Sequence, residues 1–335
     1  MQSDVEQSDD IVGEVDGLIC AFLLDGEGGG SPLDWTGVRA WKPEDGLLWV
    51  HLDRKDPGTS TWIENHSGIP SAIKRPLLSE DARPRVLVEQ DRLLVILRGV
   101  NLNPDADPED MVAVRCWIEP DRIVTLRHVR LMAVNDIREM IARGDGPADQ
   151  GEFLVRLTDR LIDRMGPVIS EIDDTLDEIE ETVQEDASQG LRARLVRTRR
   201  SAIGLRRYLA PQRDAMSRLQ AEKLTWLTDL NRAFLREIAD RTTRYVEDLE
   251  AARERAAAVQ DEFNYQMSER MNRTMYVLTV VAAILLPPSL LTGLLGINVG
   301  GLPGVESPAA FWIVAAAILV LGVFEYVLLR KLKWI

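Results

Sequence analysis

The chain has 335 residues, with 40 Lys and Arg against 54 Asp and Glu, for a formal charge of −14 at pH 7. That length allows two or three domains, and the acidity argues against nucleic-acid binding as the main task. Two cysteines, Cys20 and Cys116, are too few for a disulfide framework or a CxxC zinc site, and both sit in apolar strand-like stretches as core thiols do.

The opening stretch MQSDVEQSDDIVGEV is acidic and polar and reads as a loose tail. No Lys or Arg precedes Arg39, so the positive region of a signal peptide is missing, and the N-terminal body is expected to stay in the cytoplasm. Apolar runs bounded by turn residues predict strands at Leu18–Leu24 and Leu47–Leu52. Two hairpins follow, Arg85–Leu102 with a turn at Gln90-Asp91, and Met111–Leu126 with a turn at Pro120-Asp121. Ser60–Ser67, Ser71–Glu80 and Val134–Arg143 read as short helices, giving an α/β domain over residues 1–150.

His51 and Asp53 stand two apart on one strand and so share a face. With His128 at the end of another strand they are candidate metal ligands, although a histidine at a strand end is more often structural. No nucleophile elbow, P-loop or dinucleotide fingerprint is present, so nothing supports an enzyme.

From Gly151 the period changes to that of a helix. Phe153, Leu154, Leu157, Leu161, Met165, Ile169, Ile172, Leu176, Ile179 and Val183 recur at three- and four-residue steps, with a bend expected at Gly166-Pro167. The second half of this helix is densely acidic, with Asp173, Asp174, Asp177, Glu180 and Glu181. An arginine-rich helix, Leu191 to about Arg213, follows and is expected to lie beside it, basic against acidic. Solvated pairing explains most such charge; surplus carboxylates near a pore would also concentrate divalent cations.

Between Pro211 and Pro287 there is no proline, and between Gly204 and Gly293 no glycine. A single helix from Leu227 to Leu295, on the order of 100 Å long, is expected over this stretch. A stripe that long needs partners, and identical copies are the simplest. Residues 151–270 thus read as a helical stalk region.

Residues 271–335 hold two apolar runs of membrane-spanning length. MYVLTVVAAILLPPSLLTGLL, Met275–Leu295, carries no charge, and Ala309–Leu329 follows a short loop. Arg270 and Arg273 flank the first run and Arg330, Lys331 and Lys333 follow the second, while the loop has no Lys or Arg. The positive-inside rule then puts both termini in the cytoplasm. Ser307-Pro308 suits a helix start, and Trp312 and Trp334 sit where interfacial aromatics belong. Glu325 lies inside the second run; an intramembrane carboxylate is a candidate for proton coupling, although it is close enough to Arg330 to reach the interface or to pair with Arg273.

Gly296-Ile297-Asn298, directly after the first span, resembles the Gly-Met-Asn signature of the CorA superfamily of divalent-cation transporters. The architecture is similar over essentially the whole chain, and the motif similarity runs from Asn272 to Gly304. Ile297 stands where the superfamily usually has Met, and Gly300-Gly301-Leu302-Pro303-Gly304 lacks the acidic loop residue common in its magnesium branch; both features look like the ZntB zinc-transporter branch. The resemblance implies a cytoplasmic α/β domain, a long stalk helix and two C-terminal spans, assembled as a funnel-shaped homopentamer around a central pore. Its partners would be further copies of itself, the lipid bilayer and divalent cations, with Zn2+ favoured over Mg2+ as the transported ion and no covalently bound cofactor. Its pore face falls on Asn272, Met275, Leu278, Ala282, Leu286, Ser289, Gly293, Gly296 and Asn298. A ring of Asn298 carbonyls would meet a hydrated cation at the outer mouth, and Leu278 and Leu286 would form apolar constrictions. A magnesium or cobalt channel on the same scaffold, and a non-conducting membrane-anchored scaffold or sensor, remain the alternatives.

Overall fold

The computed structural model describes residues 17–80, 82–183, 188–297 and 307–331. The chain divides into two compact units, Met1–Val259 and Gln260–Ile335.

The first unit is built on one mixed sheet of seven strands. They are β1 (Leu18–Leu24), β2 (Gly30–Pro32), β3 (Leu47–Asp53), β4 (Arg85–Glu89), β5 (Arg92–Gly99), β6 (Val112–Ile118) and β7 (Arg122–Arg127), in the order β2-β1-β3-β7-β6-β5-β4. Among the described residues only β3 and β7 pair in parallel, with His51 opposite Thr125. Helices cover both faces of the sheet, which is why β5 and β6 read as continuous apolar runs rather than alternating ones.

Helices α1 (Trp35–Ala40), α2 (Pro57–Asn65) and α3 (Ser71–Leu78) pack on one face, where Ile63, Ile73 and Leu77 meet Leu48, Leu94, Ile96 and Trp117. Helix α4 (Met132–Arg143) is followed by α5 (Gln150–Asp163), whose Phe153 ring meets the Trp49 ring edge-on at 5.1 Å on the other face. The expected strands and hairpin turns are present, Gln90 taking the left-handed conformation at the β4–β5 turn.

The connection from α3 to β4 is held by guanidinium groups from three places in the sheet. Arg54, after β3, donates to Leu78 O, Arg115 of β6 to Ser79 O, and Arg98 of β5 to Ala82 O. These contacts explain why β6, otherwise apolar, contains an arginine that is 2% exposed.

The helix expected to bend at Gly166-Pro167 is broken instead: α5 ends at Asp163 and α6 runs from Gly166 to Val183. A Cβ at Gly166 would lie 2.8 Å from the Tyr245 hydroxyl, so a bare glycine lets the new helix start against its neighbour. Helix α7 (Gln189–Ala221) continues through Pro211, past the expected end near Arg213. It is fixed there by Gln212, which is fully buried and bonded to β5. Helix α8 is continuous over 67 residues, Asp229–Leu295, close to the expected range, and α9 spans Ala310–Lys331. Both α8 and α9 contain stretches long and apolar enough to cross a membrane.

Candidate pore face and selectivity loop

The residues expected to line a pore all lie on the C-terminal part of α8. Asn272, Met275, Leu278, Ala282, Leu286, Ser289 and Gly293 are exposed in the single chain, Leu278 by 64% and Leu286 by 66%. At 3.6 residues per turn they fall within an arc of about 120°. Val280, Ala283, Ile284 and Pro288 are the partly covered residues of the same stretch, and they fall outside that arc; the rest of the span is exposed in the single chain. Helix α9 has a partly covered stripe that includes Ala310, Val314, Ile318, Leu321, Glu325 and Leu329.

Local hydrogen bonding suits an apolar environment. Thr274, Thr279 and Thr292 donate to the carbonyls of Arg270, Met275 and Ser289 in their own helix, so their hydroxyls need no outside partner. Pro287 and Pro288 have no N–H to donate, which leaves the carbonyls of Ala283 and Ile284 without their helical bonds.

Helix α8 ends at Leu295, and Gly296 N still donates to Thr292 O at 2.9 Å. Ile297 is 46% exposed. Asn298 and the Gly300–Gly304 stretch lie outside the described residues, as do Lys333 and Trp334. Trp312 is 73% exposed at the start of α9, its ring edge-on to Phe311 at 5.5 Å. Glu325 lies on the covered stripe with its Oε2 buried; that oxygen has no hydrogen-bond partner, and Glu325 forms no ion pair with Arg273 or Arg330 among the described residues.

Other candidate groups are placed differently from the sequence expectation. The His51 ring is 1% exposed and lies between Trp49 and Thr125, with Nδ1 2.8 Å from the Thr125 hydroxyl. Burial, reinforced by Arg127, lowers its pKa to about 3. Asp53 Oδ1 is taken by the Lys55 N–H, and the exposed His128 ring meets the Arg54 guanidinium. Among the described residues no three His, Cys, Asp or Glu side chains are placed to hold a metal, so the metal centre expected at His51 and Asp53 is corrected to a core histidine and a turn-capping aspartate.

The acidic run on α6 is also partnered differently. Arg255 of α8 reaches Asp173, Asp177 and Glu180, whereas among the described residues α7 supplies Arg194 to Glu178. Partial burial raises the pKa of Asp173, and its ion-pair partners hold the Arg255 charge firmly in place. Asp174 and Glu181 remain exposed. Both thiols are shielded by burial, which pushes Cys20 up to about 12 and raises Cys116 further.

Sequence reading missed the partly covered stripe of α9 and a groove between α5 and α8. The groove's signal, an apolar pair at Leu230 and Phe234, becomes visible only when the helices are packed.

The model of the CorA-like Mg2+ transporter proteins matches residues 44–331. The chain belongs to the CorA family. A CorA-like relative, the divalent cation transporter CmaX of Pseudomonas aeruginosa, is 41% identical over 96% of this chain and 98% of its own length. The zinc transport protein ZntB of Pectobacterium carotovorum is 35% identical over 95% of this chain and 96% of its own. Among solved structures, full-length CmaX superposes with a TM-score of 0.84 at 40% identity, covering 96% of this chain and all 100% of that one. The CorA magnesium transporter of Methanocaldococcus jannaschii reaches 0.78 at 20% identity, over 94% of this chain and 98% of that one, a likeness of fold.

Proposed function

We propose that this chain is a membrane transporter of divalent metal cations, with Zn2+ the favoured cargo. Several copies, five by analogy with the superfamily, place the open face of α8 around a shared axis. The observation that carries the reading is that seven positions from Asn272 to Gly293, with Asn, Ser and Gly among them, share one exposed arc of about 120° on α8. A helix serving only as an anchor has no need to line Asn, Ser and Gly up on one face.

In this reading Asn298 carbonyls, with Gly296 and Ile297 positioning the turn, meet the cation at the outer mouth. Amide oxygens hold a hydrated divalent ion weakly enough to release it. Leu278 and Leu286 form the apolar constrictions. Exposed carboxylates on α6, Asp174 and Glu181 foremost, raise the local cation concentration on the cytoplasmic side. The α/β domain over residues 1–150 and the stalk region lie in the cytoplasm with both termini, and residues 271–335 form the two-span part in the inner or plasma membrane. The relatives named zinc transporters, and the Ile297 loop shared with the ZntB branch, favour Zn2+.

A Mg2+ or Co2+ channel is the second reading, favoured by the family's description as Mg2+ transporters and by oxygen donors that do not demand zinc. Reconstituted vesicles decide between them. Zn2+ and Mg2+ flux are measured with and without a pH gradient, for the parent chain and Asn298→Ala. Selective Zn2+ flux lost in Asn298→Ala supports the proposal; Mg2+ selectivity favours the second reading; unchanged flux in Asn298→Ala overturns the role of the loop.

A further inference from the structure

The parallel strands β3 and β7 end side by side, Asp53 opposite Arg127. The residues that follow them, Arg54 and His128, therefore stand together outside the carboxyl ends of the strands, where open α/β sheets commonly take small ligands. A cleft of about 350 Å³ opens at this end of the sheet. Arg54, Arg98, Arg115 and His128 line it, together with Glu80 and Asp110. Both carboxylates are exposed, whereas Arg115 is 2% exposed, so the basic groups sit deeper than the acidic ones.

Backbone carbonyls hold the three guanidinium groups in place. Arg54 donates to Leu78 O, Arg98 to Ala82 O and Met111 O, and Arg115 to Ser79 O. A guanidinium carries five N–H donors and no acceptor. Arg54 gives one of them to Leu78 O and a second to His128 Nδ1 at 3.3 Å, while its Nε is buried without an acceptor. A buried donor left unpaired costs free energy until an acceptor is supplied. The contact with His128 is of the same kind: the guanidinium can only donate, so the imidazole must accept and stay neutral. Desolvation, then the charges of Lys55 and Arg54, lower the His128 pKa against the opposing pull of Asp53, with Arg115 adding to the lowering. The surroundings of His128 are thus those of a site that favours negative charge.

We infer that this cleft binds a phosphate dianion, free or as a small phosphomonoester, with an oxygen of the ligand accepting from Arg54 in the space it shares with His128. Guanidinium forks match phosphate oxygens and are poorly replaced by lysine. The three groups come from the end of β3, from β5 and from β6, so they approach from different directions. A tetrahedral anion offers oxygens in all of those directions; a planar carboxylate offers its lone pairs in one plane. The cleft is larger than a phosphate alone, and Glu80 and Asp110 at its edge are acceptors for hydroxyl groups on the rest of a phosphomonoester.

Calorimetric titration of the full-length chain, purified in dodecyl maltoside at low salt, tests the inference with inorganic phosphate, glycerol 3-phosphate and succinate as probes. Saturable binding of one or both phosphates is expected. Arg54→Gln should weaken it about tenfold or more, the loss of one or two charge-assisted hydrogen bonds. Arg54→Lys, which keeps the charge and loses the fork, should recover only part of that loss. Asp110→Asn should tighten it. His128 is exposed, so His128→Gln tests the site even where Arg54→Gln fails to purify, and a several-fold loss is expected. No binding of either phosphate at millimolar concentration overturns the inference, as do equal affinities in the parent, Arg54→Gln and His128→Gln. Succinate bound more tightly than either phosphate overturns the ligand class. The readout is binding rather than flux, so each result is independent of the transport reading.

Discussion

Gln212 of α7 brackets the Arg98 peptide of β5: its Oε1 accepts from Arg98 N at 2.7 Å and its Nε2 donates to Arg98 O at 3.2 Å. One side chain thus satisfies both polar groups of a residue at the end of a central strand, and ties a helix to the sheet 114 residues away in sequence. Gln212→Met, similar in volume, would leave both backbone groups buried and unbonded. The expected loss is about 2–6 kcal/mol, since each orphaned group costs about 1–3 kcal/mol. Thermal unfolding of the purified chain checks this; an unchanged midpoint would show that the bracket contributes nothing.

His51 predicts an acid limit. Its folded pKa of about 3 lies below the ordinary 6.5, so between those values the unfolded chain binds a proton that the folded chain does not. Stability from this group is complete above pH 6.5 and declines as pH falls towards 3, by up to about 1.4 kcal/mol per unit. His51→Gln should flatten that part of the stability–pH curve. Denaturant titrations from pH 7 to 4 give the comparison, and equal slopes in the two chains would contradict it.

Arg255 holds three carboxylates of α6 together. Arg255→Met leaves Asp173, Asp177 and Glu180 facing one another at neutral pH. These groups are partly exposed, so the expected destabilisation is only of the order of 1 kcal/mol. It should shrink in high salt. A salt-independent loss would point to packing rather than charge.

Glu325 has an unpartnered, buried oxygen on the covered stripe of α9. If it carries a coupled proton, Glu325→Gln should abolish the stimulation of cation flux by a pH gradient while leaving gradient-free flux nearly intact. Flux assays in vesicles with an imposed gradient make the comparison. Retained stimulation removes the residue from any coupling role.

Hydrophobic period made much of the fold legible. The hairpins β4–β5 and β6–β7 follow from apolar runs interrupted by turn residues, and α8 follows from a long stretch free of glycine and proline. β2, only Gly30-Ser31-Pro32, has no period of its own and is defined by pairing with β1, so it escaped a reading based on pattern. The end of α7 was expected near Arg213, but the helix runs on to Ala221, with the buried Gln212 tying it to β5. The charge pairing on α6 was misassigned because the nearest basic run in sequence was α7, whereas packing brings in Arg255, 75 residues beyond Glu180. His51 and Asp53 looked like ligands because strand alternation fixes the shared face but not the depth of burial. That Asn272 to Gly293 share one side of α8 was readable because the same three- and four-residue steps that define a helix face appear in the sequence.

Ala283 and Ile284 lack the amide partners that every neighbouring turn enjoys, because Pro287 and Pro288 stand where those partners would be. Two adjacent rungs are thus absent from the ladder that stiffens the first span. Opening the backbone there stretches no existing bond, so that turn is the softest point of the rod. A bend at it would tilt the tip bearing Gly296 and Ile297 while the turns below kept their register.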